Sequence, residues 1–138
     1  MIVARTDART NHGLDEALRR GEAFAKAGAD ILFIESPESE AEMVKICKTF
    51  HQPLLANMVE GGRTPLASTD ELGALGYRVV IFPGGLVRAF ARTAQDFFAT
   101  LKATGSTDAF RNRMFDFQGL QQVLGTEAIL AAGKTYEA

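Results

Sequence analysis

Four side chains able to do chemistry follow short apolar runs. Arg5 follows Ile2-Val3-Ala4, Glu35 follows Ile31 to Ile34, Asn57 follows Leu54-Leu55-Ala56, and Arg88 comes soon after Phe82-Pro83-Gly84-Gly85. A charge at the end of an apolar run is costly to desolvate unless it is paired or engages a ligand. Arg5 and Glu35 therefore read in two ways: as a structural ion pair across adjacent strand ends, or with Asn57 as a constellation facing a ligand. Arg88 is either a solvated residue in a helix's first turn or a clamp for a carboxylate. Asn57 also opens a Gly-rich loop, Glu60-Gly61-Gly62-Arg63-Thr64-Pro65. Gly61-Gly62 lacks the Lys-Ser/Thr that completes a phosphate-binding P-loop. Gly84-Gly85, just ahead of a helix, is the better anion site, because helix N-terminal amides point outward.

Other reactive residue types read as structural. His12 and His51 have no metal-ligand spacing with each other or with Cys47, and are expected at the surface. Cys47, the only cysteine, follows Ile46 on the apolar side of a helix and reads as a small core residue rather than a reactive thiol. Asp7, two residues beyond Arg5, is expected on the opposite face. Arg111, Asn112 and Arg113 form a cluster too short to bind nucleic acid, and read as a solvated or interface turn.

The elements that must position these residues alternate. Ile2–Ala4 is a β-branched run, followed by a polar stretch in which Asn11-His12-Gly13 reads as loop. From Leu14, apolar residues recur at helical spacing until Gly28. Residues 29–34 form a second strand. Ser36 or Ser39 caps the next helix, which fades near Phe50. Residues 54–56 make the third strand. Ser68 with Glu71 is a capping box for a short helix that Gly76 ends. Residues 77–82 form the fourth strand, and a longer helix spans about 87–103. Residues 110–117 read as a connector, and two short helices near 117–123 and 127–132 complete the chain. The order βαβαβαβα implies a parallel sheet with right-handed crossovers. A small doubly wound sheet and half of an eight-stranded barrel both fit, and both put the site at the strands' C-terminal ends.

Composition narrows the function classes. The 138 residues are 46% hydrophobic, which suits one globular domain, and the net charge of -2 offers nothing to nucleic acid or an anionic membrane. No apolar run is long enough to span a membrane. One cysteine cannot form an internal disulfide, so a reducing, cytoplasmic setting is expected. A chain that opens inside a strand is expected to be cut from something larger.

Several stretches together carry a family resemblance: residues 2–8 (IVARTDA), 27–30 (AGAD), 55–65 (LANMVEGGRTP) and 75–77 (LGY). The chain resembles the isocitrate lyase / phosphoenolpyruvate mutase superfamily, which includes methylisocitrate lyases, oxaloacetate decarboxylases and carboxyvinyl-carboxyphosphonate phosphorylmutases. The resemblance runs over nearly the whole chain and implies only the C-terminal half of a TIM-type (α/β)8 barrel. Residues 1–104 would supply four βα units. Residues 105–138 would form a helical tail exchanged in an oligomer or packed on a neighbour.

The resemblance implies a Mg2+-dependent lyase acting on an α-keto or 2-hydroxy di- or tricarboxylate through a pyruvate-like enolate. The family's metal-binding aspartates and its catalytic loop belong to the other half, so no metal ligand is assigned here. Arg5 would grip a substrate carboxylate and balance enolate charge, and Glu35 would sit near the metal or a polar substrate group. Asn57 would hydrogen-bond a carboxylate or oxyanion, and Arg88 would clamp a second carboxylate. Glu60, Gly61, Gly62 and Thr64 would form the rim loop. Where methylisocitrate lyases carry a further arginine in the tail, this chain has Met114-Phe115-Asp116-Phe117, which favours a smaller acid than a tricarboxylate. The competing expectation is a non-catalytic α/β module that binds a carboxylate or phosphate, or an inactive truncated homologue. A small carboxylate and further copies of the chain are the expected partners.

Overall fold

The computed structural model describes residues 1–136. The element order is β1 (Val3–Thr6), α1 (Ala8–His12), α2 (Leu14–Lys26), β2 (Ile31–Ile34), α3 (Glu40–Thr49), β3 (Leu55–Asn57), α4 (Thr69–Leu75), β4 (Val79–Ile81), α5 (Gly85–Thr104), a 3₁₀ turn (Asp108–Arg113), α6 (Phe117–Leu124) and α7 (Thr126–Lys134). Contacts divide the chain into two compact units, residues 1–88 and residues 89 onward.

Local signals account for most boundaries. The Ser39 hydroxyl accepts from the Glu42 amide and starts α3. Ser68 and Glu71 complete the capping box of α4, and Gly76 ends it at φ +123°, a conformation other residues rarely adopt. Two expectations are corrected. Residues 11 and 12 belong to a helix, α1, which begins right after β1 once Thr6 Oγ1 accepts from the Ala8 amide. The stretch expected as a connector, residues 110–117, overlaps a 3₁₀ turn at 108–113.

In the first unit all strands pair in parallel. Val3 to Thr6 stand opposite Ile31 to Ile34, and Leu55 to Asn57 opposite Val79 to Ile81. A parallel bridge between Leu32 and Leu54 joins the two pairs. The strands therefore lie side by side in chain order. Period-two alternation divides each strand between two faces. Ala4, Leu32, Ile34, Leu54, Ala56 and Val80 enter the core with Ala17 and Leu18 of α2, Met43 and Ile46 of α3, and Leu72 of α4. The other face carries Val3, Phe33, Leu55, Val79 and Ile81. Phe33 and Leu55 are buried there although they stand outside the core cluster, while Val3 is 48% exposed.

The second unit is helical. Phe97 meets Phe98 and Phe110 edge-on at centroid distances of 5.5 and 5.4 Å. Arg113 lies over the Phe110 ring, and Arg111 pairs with Asp108. Helices α6 and α7 bury no residue and expose Phe117, Val123, Ile129 and Leu130. Among the described residues, no helix is long and apolar enough to cross a membrane.

Candidate functional site

The parallel register puts Arg5, Glu35 and Asn57 side by side at the C-terminal ends of β1, β2 and β3. The Glu35 carboxylate is where they meet. Its Oε2 accepts from Asn57 Nδ2 at 3.3 Å and lies 3.2 Å from Arg5 Nη2. Its Oε1 accepts from the Ser36 amide and the Ser36 hydroxyl, each at 3.1 Å. Glu35 is 12% exposed and Arg5 49%, so one partner is held inside the site and the other reaches solvent.

Arg5 is more constrained than a lone strand-end arginine. Its Nε and Nη2 donate to both Asp7 oxygens at 3.0 and 2.8 Å, a fork that fits a carboxylate. The expectation that Asp7 faces away is corrected: Asp7 lies just past the end of β1, where the chain turns into α1, and its carboxylate binds Arg5. The hydrogen bond from Arg5 holds the Asp7 carboxyl below its ordinary range, and the bond to Asp7 in turn raises the guanidinium. Phe33 lies beneath, with the Arg5 guanidinium carbon 4.8 Å from its ring centre. Arg5 Nη1 makes no hydrogen bond among the described residues.

Asn57 spends one Nδ2 hydrogen on Glu35 and keeps a second to donate. Its Oδ1 is buried and has no partner among the described residues. A group in that state marks a place where a ligand or water is expected.

A cleft of about 260 Å³ opens between Glu35, Ser36, Asn57, Val59, Gly62, Arg63 and Thr64. Gly62 and Thr64 of the rim loop line this cleft. Glu60 and Arg88 hold each other instead: Arg88 Nη1 donates to the Glu60 carbonyl at 2.5 Å and stands 3.4 Å from its carboxylate. Both are about half exposed, and Arg88 is here a tie on the rim loop.

Three contributors escaped the sequence reading. Ser36 adopts φ +59°, the one positive φ of a non-glycine residue among those described, and points two donors at Glu35. Asp7 stands at the turn from β1 into α1, which strand alternation does not reach. Arg63 was visible in the loop, but nothing in its type showed that it lines the cleft. His12 and His51 are exposed, as expected; Cys47, expected in the core, is half-buried and packs against its edge, with its thiol pushed up by burial.

The donor set does not by itself fit Mg2+, which takes several oxygen ligands. Among the described residues no cluster of three or more acidic, His or Cys side chains could hold a metal ion. Glu35 stands alone, with both oxygens committed to hydrogen-bond donors.

Comparison with known proteins follows the same lines. The sequence matches the family description of phosphoenolpyruvate phosphomutase over residues 1–102. It is 46% identical to a 2,3-dimethylmalate lyase from Eubacterium barkeri over 136 residues, 99% of this chain and 47% of the relative. A crystal structure of 2,3-dimethylmalate lyase superposes with a TM-score of 0.89 at 29% identity, covering 98% of this chain and 47% of that one. A phosphonopyruvate hydrolase solved with oxalate and Mg2+ shares the fold at a TM-score of 0.79 and 24% identity, covering 100% of this chain and 50% of that one. The chain spans about half the length of the relatives it matches. It belongs to the phosphoenolpyruvate phosphomutase family, within the phosphoenolpyruvate mutase/isocitrate lyase superfamily.

Proposed function

We propose that this chain is the C-terminal half of a TIM-type barrel and supplies the substrate-gripping side of a Mg2+-dependent lyase. Its substrate would be a small α-keto or 2-hydroxy dicarboxylate, cleaved beside a pyruvate-like enolate. The observation that carries this reading is Glu35 bound by both Arg5 and Asn57 at three consecutive strand ends. The chain order of the strands supports a barrel over a doubly wound sheet, which needs a reversal of strand order. The apolar floor of Val3, Phe33 and Leu55 supports it too, because the inner face of a barrel is filled by such side chains.

In this reading Arg5 grips a substrate carboxylate through its free Nη1 while Asp7 holds it in place. The second Nδ2 hydrogen of Asn57 reaches the same carboxylate or a neighbouring oxyanion. Glu35 sits beside a polar substrate group and holds Arg5 and Asn57 in position toward it. Arg88 turns from Glu60 to a second carboxylate. Bound Mg2+ would polarise the keto acid and stabilise enolate charge, and its ligands belong to residues outside this chain. The exposed apolar residues of α6 and α7 support a contact between copies of the protein.

Oxalate with Mg2+ tests the reading. Calorimetric titration is run on this chain alone and on the chain co-expressed with the N-terminal half of the Eubacterium barkeri lyase. Saturable, Mg2+-dependent binding is expected only in the pair, and Arg5→Ala abolishes it. Equal Mg2+-dependent binding by the chain alone overturns the half-barrel assignment and favours a self-sufficient carboxylate-binding module.

A further inference from the structure

The connections after the four strands are linked by charged side chains, and Arg9 is one of the more enclosed of these. It lies in α1, after β1, with its side chain 18% exposed. Its Nε and Nη2 donate to the two oxygens of Glu42 at 3.0 and 2.7 Å, and its Nη1 lies 2.9 Å from Glu38 Oε1. Glu38 belongs to the connection after β2. Its amide donates to Glu42 Oε2 at 2.8 Å, so backbone and side chain are fixed by one Arg–Glu pair. The same Glu38 Oε1 faces Arg63 Nη1 at 3.5 Å. Arg63 stands in the rim loop and lines the cleft beside Asn57 and Glu35.

The rim loop is thus tied at two points, Arg63 to Glu38 on one side and Glu60 to Arg88 on the other. Little else holds it. The Gly62 amide donates to the Val59 carbonyl at 2.9 Å, and Gly61 sits at φ +74° with open space around it. A segment with few buried contacts takes its order from the ties it has.

We propose that Arg9 is a positioning residue for the rim loop. By fixing Glu38 from behind, it presents a preset carboxylate to Arg63 and so holds the loop against the cleft. Arg9 touches neither the cleft nor the loop and acts only through Glu38. The loop's order would then depend on salt, because the Glu38–Arg63 pair is exposed. None of this requires the proposed reaction, so failure of the lyase reading leaves it standing.

The test is amide hydrogen exchange of the 138-residue chain, read on residues 61–64 and on the strands. Arg9→Gln and Glu38→Gln are each expected to speed exchange of the loop about two- to five-fold, as loss of one exposed pair implies. Strand amides keep their rates. The double variant exchanges no faster than Glu38→Gln alone, and molar salt brings the wild type to the same rate. Arg9→Lys keeps the charge but loses the fork, and also speeds the loop. Wild-type loop exchange in Arg9→Gln overturns the proposal. So do effects that add in the double variant, or an equal acceleration of the β1 and β2 amides, which would make Arg9 a general stabiliser.

Discussion

Glu35→Gln separates a structural ion pair from a site built for a ligand. The carboxylate accepts four contacts: two from Ser36, one from Asn57 and one from Arg5. A glutamine oxygen keeps both Ser36 bonds. Its amide nitrogen replaces Oε2 and meets the Asn57 Nδ2 donor, but Asn57 can turn over and offer the Oδ1 that otherwise has no partner. Only the contact with Arg5 is then lost. Arg5 is half exposed and keeps its fork on Asp7. A surface pair is worth about 0–1 kcal/mol, and one net hydrogen bond about 0.5–1.5 kcal/mol. The expected loss of stability is therefore about 1 kcal/mol. Breaking a buried pair that stabilises the fold would instead cost about 3–5 kcal/mol. Urea unfolding of the 138-residue chain reads the difference as a shift in midpoint at unchanged slope. A loss of 3 kcal/mol or more would return Glu35 to a purely structural role and remove the central residue from the proposed site.

Two further outcomes follow from the packing of the first unit. In Gly21→Ala the added Cβ would lie 2.5 Å from Phe50 Cζ and 3.0 Å from Ile34 Cδ1. The gain of about 1 kcal/mol in helix propensity is outweighed by overpacking of about 1–3 kcal/mol, so the urea midpoint falls, and an unchanged or higher midpoint refutes the packing argument. Burial pushes the Tyr77 phenol above its ordinary value of 10.0. A raised folded-state value contributes stability that is complete below pH 10 and is lost as pH rises through the raised value. Read by phenolate absorbance in a Tyr136→Phe background, Tyr77 should ionise only on alkaline unfolding; ionisation while the fold is intact would sink the burial claim.

Helices were more legible than the strand ends. The capping box at Ser68, the stops at Gly28 and Gly76, and the apolar spacing of α2 are local signals, and each placed a boundary. The extent of β1 was not local. Arg5 and Thr6 belong to the strand because β2 supplies partners Phe33 and Ile34, which no residue near Arg5 announces. Helix α1 was missed for a related reason. Ala8 to His12 have no apolar periodicity, and the helix follows from the Thr6 hydroxyl bond and from Arg9 reaching Glu42, 33 residues away. Arg5, Glu35 and Asn57 could be picked out because each interrupts an apolar run. Ser36 could not, since its contribution lies in a backbone conformation that its side-chain type does not signal.

One alternation sets both the core and the candidate site. In β1, β2 and β3 the residue two before each polar side chain is apolar: Val3 before Arg5, Phe33 before Glu35, Leu55 before Asn57. These pairs share a face, so an apolar floor underlies a polar ring, and the Phe33 ring beneath Arg5 is one instance. The intervening residues Ala4, Leu32, Ile34, Leu54 and Ala56 face the helices. Slipping β2 by one residue would turn Glu35 into the helix layer, beside Met43 and Ile46, and expose Ile34. An unpaired carboxylate there costs far more than the site gains. The hydrophobic packing of α2 and α3 therefore fixes which face Glu35 takes. A substitution on the helix side that permits the slip would disable the site without touching any of its residues.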